Sequence, residues 1–470
     1  MSGLFSALDS TAQALNAQSV AISVTSKNVA NINNPNYSRE YVVFGSQGEV
    51  QTPQGEESLG LQALSVQQDT DSLLNQQVIS QISLTSSDSS QQGFLQQAQA
   101  GLGQSLTDAS ASSSSTTSAS GLAGALDNFM NAFTALAAQP SDSGTQEALI
   151  GQATTLTQTF QSVDKNLSQV QSDIGSQVSS DVTNANTLLG QIAGLNAQIG
   201  AAEVNSPGSA VDLRDSREAD LEQLAAIIPV NVTEQSNGED TVTTPGTSGN
   251  PVTLVQLGSV QGTLSYANGA VTGGQPAATL ALGGGSIQGE LNASTGPIQT
   301  LRTNLDSLAS QIVTAVNTAY NPTGTGSNFF DASGTTAGTI ALDPSLSSAT
   351  LTAGTGGAGD NTTALAVAAL ANTSFSTASG DAINGTFTSF YSGSVSTFGQ
   401  SVANVTSSLD DQQNVQTLLE NQRSSISGVN MDEEMSNLVQ YQQAYVASSE
   451  TFNIINQILG NEISQLGAQG

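Results

Sequence analysis

Each end of this 470-residue chain carries an apolar seam at alternating steps of three and four. At the start the line is Leu4, Leu8, Thr11, Leu15, Gln18, Ile22, Thr25 and Val29, with no Pro or mid-helix Gly before Pro35. At the end it is Leu438, Gln442, Tyr445, Ser449, Phe452, Asn456, Leu459, Ile463 and Leu466. Ordering about thirty residues of helix costs more backbone entropy than a handful of buried Leu, Ile and Phe side chains return. Neither helix holds itself, so each needs a partner. The spacing leaves two outcomes open: an antiparallel pair closing a globular domain, or termini that pair and then meet copies of themselves. Gly428 ends the preceding helix, and Asn430 with Glu433 reads as an N-cap and its reciprocal partner. Asp432, Glu433 and Glu434 then read as capping chemistry in the first turn, where the helix dipole favours negative charge.

The residues that are missing exclude most chemistry. There is no His and no Cys, which removes Ser-His-Asp and Cys-His catalysis, imidazole and thiolate metal ligation, and disulfides. An enzyme would need carboxylate pairs or a Ser-Lys dyad, and the lysines, Lys27 and Lys165, read as solvated side chains on helices. With 38 Asp and Glu against 7 Lys and Arg, the chain lacks the clustered cations that nucleic acid or an anionic membrane requires. No stretch approaches the apolar length of a membrane span. Residues 1–15, amphipathic and containing Asp9, do not read as a secretory signal. No cofactor and no metal-ligand spacing is expected. Aromatic residues at 4% and no Trp suit long helices and thin β layers better than a deep core.

Along the chain, the first helix should stop near Ile32, before Asn33, Asn34, Pro35 and Asn36. Residues 37–44 and 59–66 read as strands, and a helix begins at Asp69 and runs weakly to Leu95. Residues 109–120 are a Ser/Thr/Ala tract and 122–138 a short amphipathic helix; after 142–145 comes a long helical run to about Glu203, roughly 80–90 Å and suited to a rod-like body. A helix over 211–228 precedes an antiparallel β unit over 229–282. Residues 287–320 return to helix with a restart at Pro297, 321–380 read as turns and short strands, and 381–426 as helix. The fold class is mainly α with an inserted β-rich domain: N- and C-terminal helices paired as a coiled coil, a long-helix bundle body, and an antiparallel β outer domain. The expected division is 1–35 with 431–470; 36–228 with 286–322 and 381–430; and 229–285 with 323–380.

At Asn28, Ala30, Asn31, Asn33, Pro35 and Tyr37 the chain resembles the N-terminal signature of the axial (rod, hook and junction) proteins of the bacterial flagellum. It departs at Asn34, where Thr is common, and at Asn36, where Gly is common; Asn can adopt the left-handed turn expected there. Tyr37, Ser38 and Arg39 continue the motif, and Asp212, Leu213, Arg214 and Asp215 resemble an internal segment of the hook-associated protein 1 family. Ser427, Gly428, Val429 and Asn430, then Asp432, Glu433, Glu434, Leu438, Gln442, Gln443 and Tyr445, are similar to that family's C-terminal signature.

The resemblance implies a structural protein and no enzyme. It would form a homo-oligomeric ring at the hook–filament junction, between hook protein and a second junction protein, hook-associated protein 3. It implies an inner tube built from the paired termini, export through the flagellar type III apparatus without signal cleavage, an extracellular location, and an export chaperone on the C-terminal helix. Leu4, Leu8, Leu15, Ile22 and Val29 would then be assembly contacts, and Leu438, Tyr445, Phe452, Leu459 and Ile463 assembly and chaperone contacts. Asn28, Asn31 and Asn33 would either bond neighbouring subunits or cap the helix end. The rival readings are a secreted adhesin or surface-layer protein, a carboxylate enzyme in the β region, and hook protein or a flagellin-like protein. An adhesin needs no apolar seams at both termini.

Overall fold

The computed structural model describes residues 2–46, 48–52, 55–58, 60–103, 121–357 and 359–467. The Ser/Thr/Ala tract at 109–120 lies outside the described residues, as do Leu59, where the second strand is expected to begin, and the side chain of Leu466. The elements in chain order are α1 (Ser2–Ala30), β1 (Glu40–Ser46), β2 (Glu49–Thr52), β3 (Gly55–Ser58), β4 (Leu61–Gln68) and α2 (Ser72–Gly101). There follow α3 (Gly121–Ala138), α4 (Ser143–Ala202), α5 (Val211–Ile227) and seven short strands: β5 (Asn231–Glu234), β6 (Asp240–Pro245), β7 (Pro251–Gln256), β8 (Ser259–Val260), β9 (Ser265–Ala267), β10 (Ala270–Gly273) and β11 (Ala278–Thr279). The chain closes with α6 (Gly285–Ala293), α7 (Gln299–Tyr320), α8 (Thr362–Ala369), α9 (Phe387–Ser427) and α10 (Met431–Gly467). The fold is mainly α with an inserted antiparallel β region.

Two units divide this path. The first comprises Met1–Thr85, Val182–Gly285 and Gln412–Gly470; the second comprises Ser86–Asp181 and Ser286–Asp411. Residues 229–285 fall in the first unit and 323–380 in the second.

In the first unit α10 starts beside the end of α1 and runs back along it, so the two termini form an antiparallel pair. α1 also packs on a two-stranded ribbon in which β1 and β4 pair antiparallel, Glu40 opposite Gln68, with a register shift after Val43. The first strand begins at Glu40 rather than Tyr37 because Arg39 is already committed: its N–H donates to Ser427 O at 2.8 Å and its C=O accepts from Asp69 N at 2.9 Å. α2 starts after the expected Asp69 because Asp71 Oδ1 caps it, accepting from Leu73 N (2.9 Å) and Leu74 N (3.1 Å). The β2–β3 hairpin escapes the sequence reading. Beyond α5 lie a sheet ordered β5-β6-β7-β8 and a smaller one ordered β11-β10-β9, all antiparallel. Alternation on β6 and β7 puts Val242, Val252 and Leu254 inside.

The second unit is built on an aromatic core. Phe129 and Phe133, one helical turn apart on α3, meet Phe329 and Phe330 with ring centroids 5.1–5.7 Å apart, and Tyr320 at the end of α7 abuts Phe329. Leu149, Leu156, Phe160, Val163, Leu167, Val170, Ile174 and Val178 of α4 are buried at helical spacing. Between α6 and α7, Ser294–Ile298 form a single wide turn where Gly296 leaves helical geometry beside Pro297, the expected restart. Two expectations are corrected here. Residues 362–369 are the helix α8, which packs its Ala/Val face on α3 and α7, rather than part of a strand-bearing stretch. α9 begins at Phe387, not at Asp381, because Phe375 and Gly385 pair as a β-bridge just upstream.

Candidate functional site

The motif residues converge in the first unit, where the end of α1, the loop into β1, the start of α5 and the α9–α10 break meet. Asn28, 1% exposed, is the hub. Its Nδ2 donates to Glu40 O (2.8 Å) and to Glu434 Oε2 (3.0 Å), while its Oδ1 accepts from Tyr37 O–H (2.7 Å) and Glu40 N–H (3.0 Å). All four hydrogen-bonding positions of the carboxamide that this geometry can reach are filled, and only Asn or Gln offers two donors and an acceptor on one flat group.

Around this hub the charges interlock. Arg39 Nε donates to Glu434 Oε1 at 2.8 Å and its terminal nitrogen to Glu433 Oε1 at 2.7 Å. Lys27 Nζ bridges Glu40 (2.5 Å) and Asp212 (2.6 Å). Asp215, one turn along α5, accepts from Ser38 N–H at 3.3 Å and from Gln68 Nε2 at 2.6 Å. Burial pulls the Lys27 ammonium down, yet the bonds it donates to Asp212 and Glu40 outweigh it and leave it raised. Glu40, at 2% exposure, is the desolvated member of its pair: burial raises its carboxyl even against Lys27. Burial also raises Asp215 to about 6, over the opposing bonds from Ser38 and Gln68. The arrangement fastens the end of α1, the start of α10 and α5 to one loop.

Three readings from sequence are corrected. Lys27 is not a solvated side chain, because a dry carboxylate across the loop needs its charge. Asn430 is the N-cap, accepting from Asp432 N–H (3.0 Å) and Glu433 N–H (3.4 Å), but Glu433 does not reach back to it; Glu433 and Glu434 turn to Arg39 instead. Arg39 supplies a full charge, where the cap would offer a single amide. Nor is Asn36 left-handed: positive φ among described non-Gly residues occurs at Leu257 and Asn268, and Asn36 N–H closes an Asx turn onto Asn34 Oδ1 at 3.2 Å. At Gly428 a Cβ would lie 2.2 Å from Ser424 O, so only Gly lets α9 end there and α10 turn away.

The seams are placed as follows. On α1 the deeply buried line is Ala17, Ala21, Val24 and Asn28, while Leu4, Leu8, Leu15, Ile22 and Val29 are half-buried on a different face of the helix. On α10 Leu459 is buried, Leu438 and Phe452 are half-buried, and Tyr445 and Ile463 are 40% and 56% exposed. A second apolar line, Met431, Met435, Val439 and Val446, stays exposed on α10. In the axial motif Asn31 and Tyr37 are half-buried, and Ala30, Asn33 and Pro35 are exposed; Asn31 Nδ2 donates to Lys27 O at 3.0 Å. Sequence reasoning missed Lys27, Glu40, Gln68 and the role of Glu434. The available signal was scarcity, since among seven cations two flank the motif loop.

Comparison with known proteins gives a consistent set. Residues 111–330 match the family model described as flagellar hook-associated protein FlgK helical domain, and residues 420–466 that of flagellar basal body rod FlgEFG protein C-terminal. The chain is 24% identical to flagellar hook-associated protein 1 of Bacillus subtilis, over 100% of both chains. It is also 24% identical to the protein of that name from Escherichia coli, over 94% of this chain and 96% of that one. Among solved structures, the flagellar hook junction protein FlgK from Burkholderia pseudomallei aligns at 22% identity and a TM-score of 0.46, over 55% of this chain and 46% of that one.

Proposed function

We propose, for a chain that belongs to the flagellar hook-associated protein 1 family and is a structural component of the flagellar hook–filament junction, that its α1–α10 pair is the surface through which copies assemble into a ring. The observation that carries this is the second apolar line on α10: Met431, Met435, Val439 and Val446 remain exposed after α10 has already packed on α1. A helix that is apolar on two sides has two partners. The second side differs from the first, so contact between copies is head-to-tail and closes as a ring when the rotation permits. In this reading residues 1–35 and 431–470 form the inner wall, and Asn28, Arg39 and Glu434 set the angle at which that wall leaves the rest of the first unit.

The ring would sit on hook protein and seat hook-associated protein 3. The same α10 face would be shielded by an export chaperone beforehand. Export as an unfolded chain through the flagellar type III channel, to the cell exterior and without signal cleavage, suits a sequence with no Cys, since no cross-link can hold it folded.

Cells carrying Val439→Asp with Val446→Asp test this. Both positions are exposed, so the purified variant should keep its thermal midpoint. Cells should build hooks without filaments and release flagellin monomer into the medium. Normal swimming by cells with this variant would refute the assembly role of α10.

A further inference from the structure

In the second unit, Glu290 on α6 is 1% exposed. One carboxyl oxygen accepts a long 3.3 Å bond from Ser90 Oγ on α2, and the other finds no partner among the described residues. One turn earlier on α6, Ser286 O–H donates to Asp181 of α4, which is 7% exposed and also accepts from Gln177 Nε2 at 2.9 Å. Ser286 and Glu290 share a helix face at i and i+4, and the Asp181 charge acts on Glu290. Next to them α6 touches α2 backbone to backbone: a Cβ at Gly289 would fall 1.9 Å from Ser87 O. The groups facing Glu290 are therefore Asp181 from α4, the Ser90 hydroxyl from α2 and Ser286 from its own helix; no Lys or Arg among the described residues acts on it.

A buried carboxyl with one unpartnered oxygen, an acidic neighbour and no counter-charge is held in its neutral form. We propose that Glu290 keeps its proton in the folded protein, and that losing it is the trigger that loosens α6 from α2 and α4. Burial, with Asp181 adding to it, raises Glu290 to about 8. A raised carboxyl contributes stability that is complete below its unfolded value near 4.5 and is lost as pH rises through about 8. The second unit is thus latched most firmly in acid and loosens progressively until the pH reaches about 8.

Hydrogen exchange on the full chain, from about pH 6 to about pH 9 and corrected for intrinsic rates, tests this at residues 285–293. Protection should fall by up to tenfold per pH unit in the native sequence toward pH 8, and should stay level in Glu290→Gln, which keeps the shape and removes the charge. Should that variant fail to fold, carbon-13 titration of the native glutamate carboxyls decides: one resonance should titrate near 8 and move down in Asp181→Asn. Parallel loss of protection in native and Gln variants, or no glutamate titrating above its ordinary range, overturns the proposal. So does stabilisation by added Na⁺ or Ca²⁺ that Glu290→Gln abolishes, since the neutralising charge would then be a metal ion.

Discussion

Replacing Asn28 by Ala should be among the most damaging single changes in the first unit. The carboxamide makes four bonds of 2.7–3.0 Å, and three of the groups it satisfies, Glu40 N–H, Glu40 C=O and Glu434 Oε2, belong to residues only 2% exposed. Water cannot reach them without entering the cavity that the missing side chain leaves. A buried orphan costs about 1–3 kcal/mol, more when charged, so three orphans with partial hydration give a loss of about 3–5 kcal/mol. That is a large share of the roughly 5–15 kcal/mol that holds a typical domain. Asn33→Ala is the matched control, because Asn33 belongs to the same motif but is exposed and should change stability by no more than about 0.5 kcal/mol. Guanidinium unfolding of the full chain, with hydrogen exchange on α1 and α10 to locate the change, measures both. If Asn28→Ala costs no more than Asn33→Ala, the hub is not holding the termini and the reasoning fails.

Arg39→Lys should weaken the start of α10 by about 1–2 kcal/mol, since Arg39 reaches Glu434 and Glu433 from two separate nitrogens of one rigid plane and an ammonium must serve both from a single atom without that pre-set fork; faster exchange confined to the first turns of α10 would register it. The pH response of the first unit follows from acids that burial raises, among them Asp215 and Asp240 to about 6 and Glu218 to about 7. Their contribution is complete below the unfolded values and lost as pH rises through 6 to 7, so the denaturation midpoint should be higher at about pH 5.5 than at about pH 7.5. Glu203 works the other way: burial favours its neutral form, but its bonds from Arg214 and the backbone outweigh that and lower it, so its share is lost only in stronger acid. Glu218→Gln should flatten the rise, and a midpoint that falls on acidification would contradict the assignment.

What the sequence determined by itself is what neighbours in the chain decide. Helical periodicity marked α3, α4 and α5 nearly to their ends, and Pro297 marked the break between α6 and α7, because spacing and backbone restriction act within a few residues. The Asn430 cap is legible for the same reason, its partners being two and three residues on. Only the tertiary structure decided between choices that are locally equivalent. Glu433 can serve the cap or a cation, and Arg39, 394 positions away in the chain, took it. Lys27 looks solvated until Asp212, 185 positions on, arrives beside it. On α1 two separate faces could have been the buried one; the line of Ala17 and Ala21 is, because α10 and the β1–β4 ribbon both press on this helix and small side chains allow the closest approach. Such contacts are set by which surfaces meet once the chain has folded, and no short-range pattern encodes that.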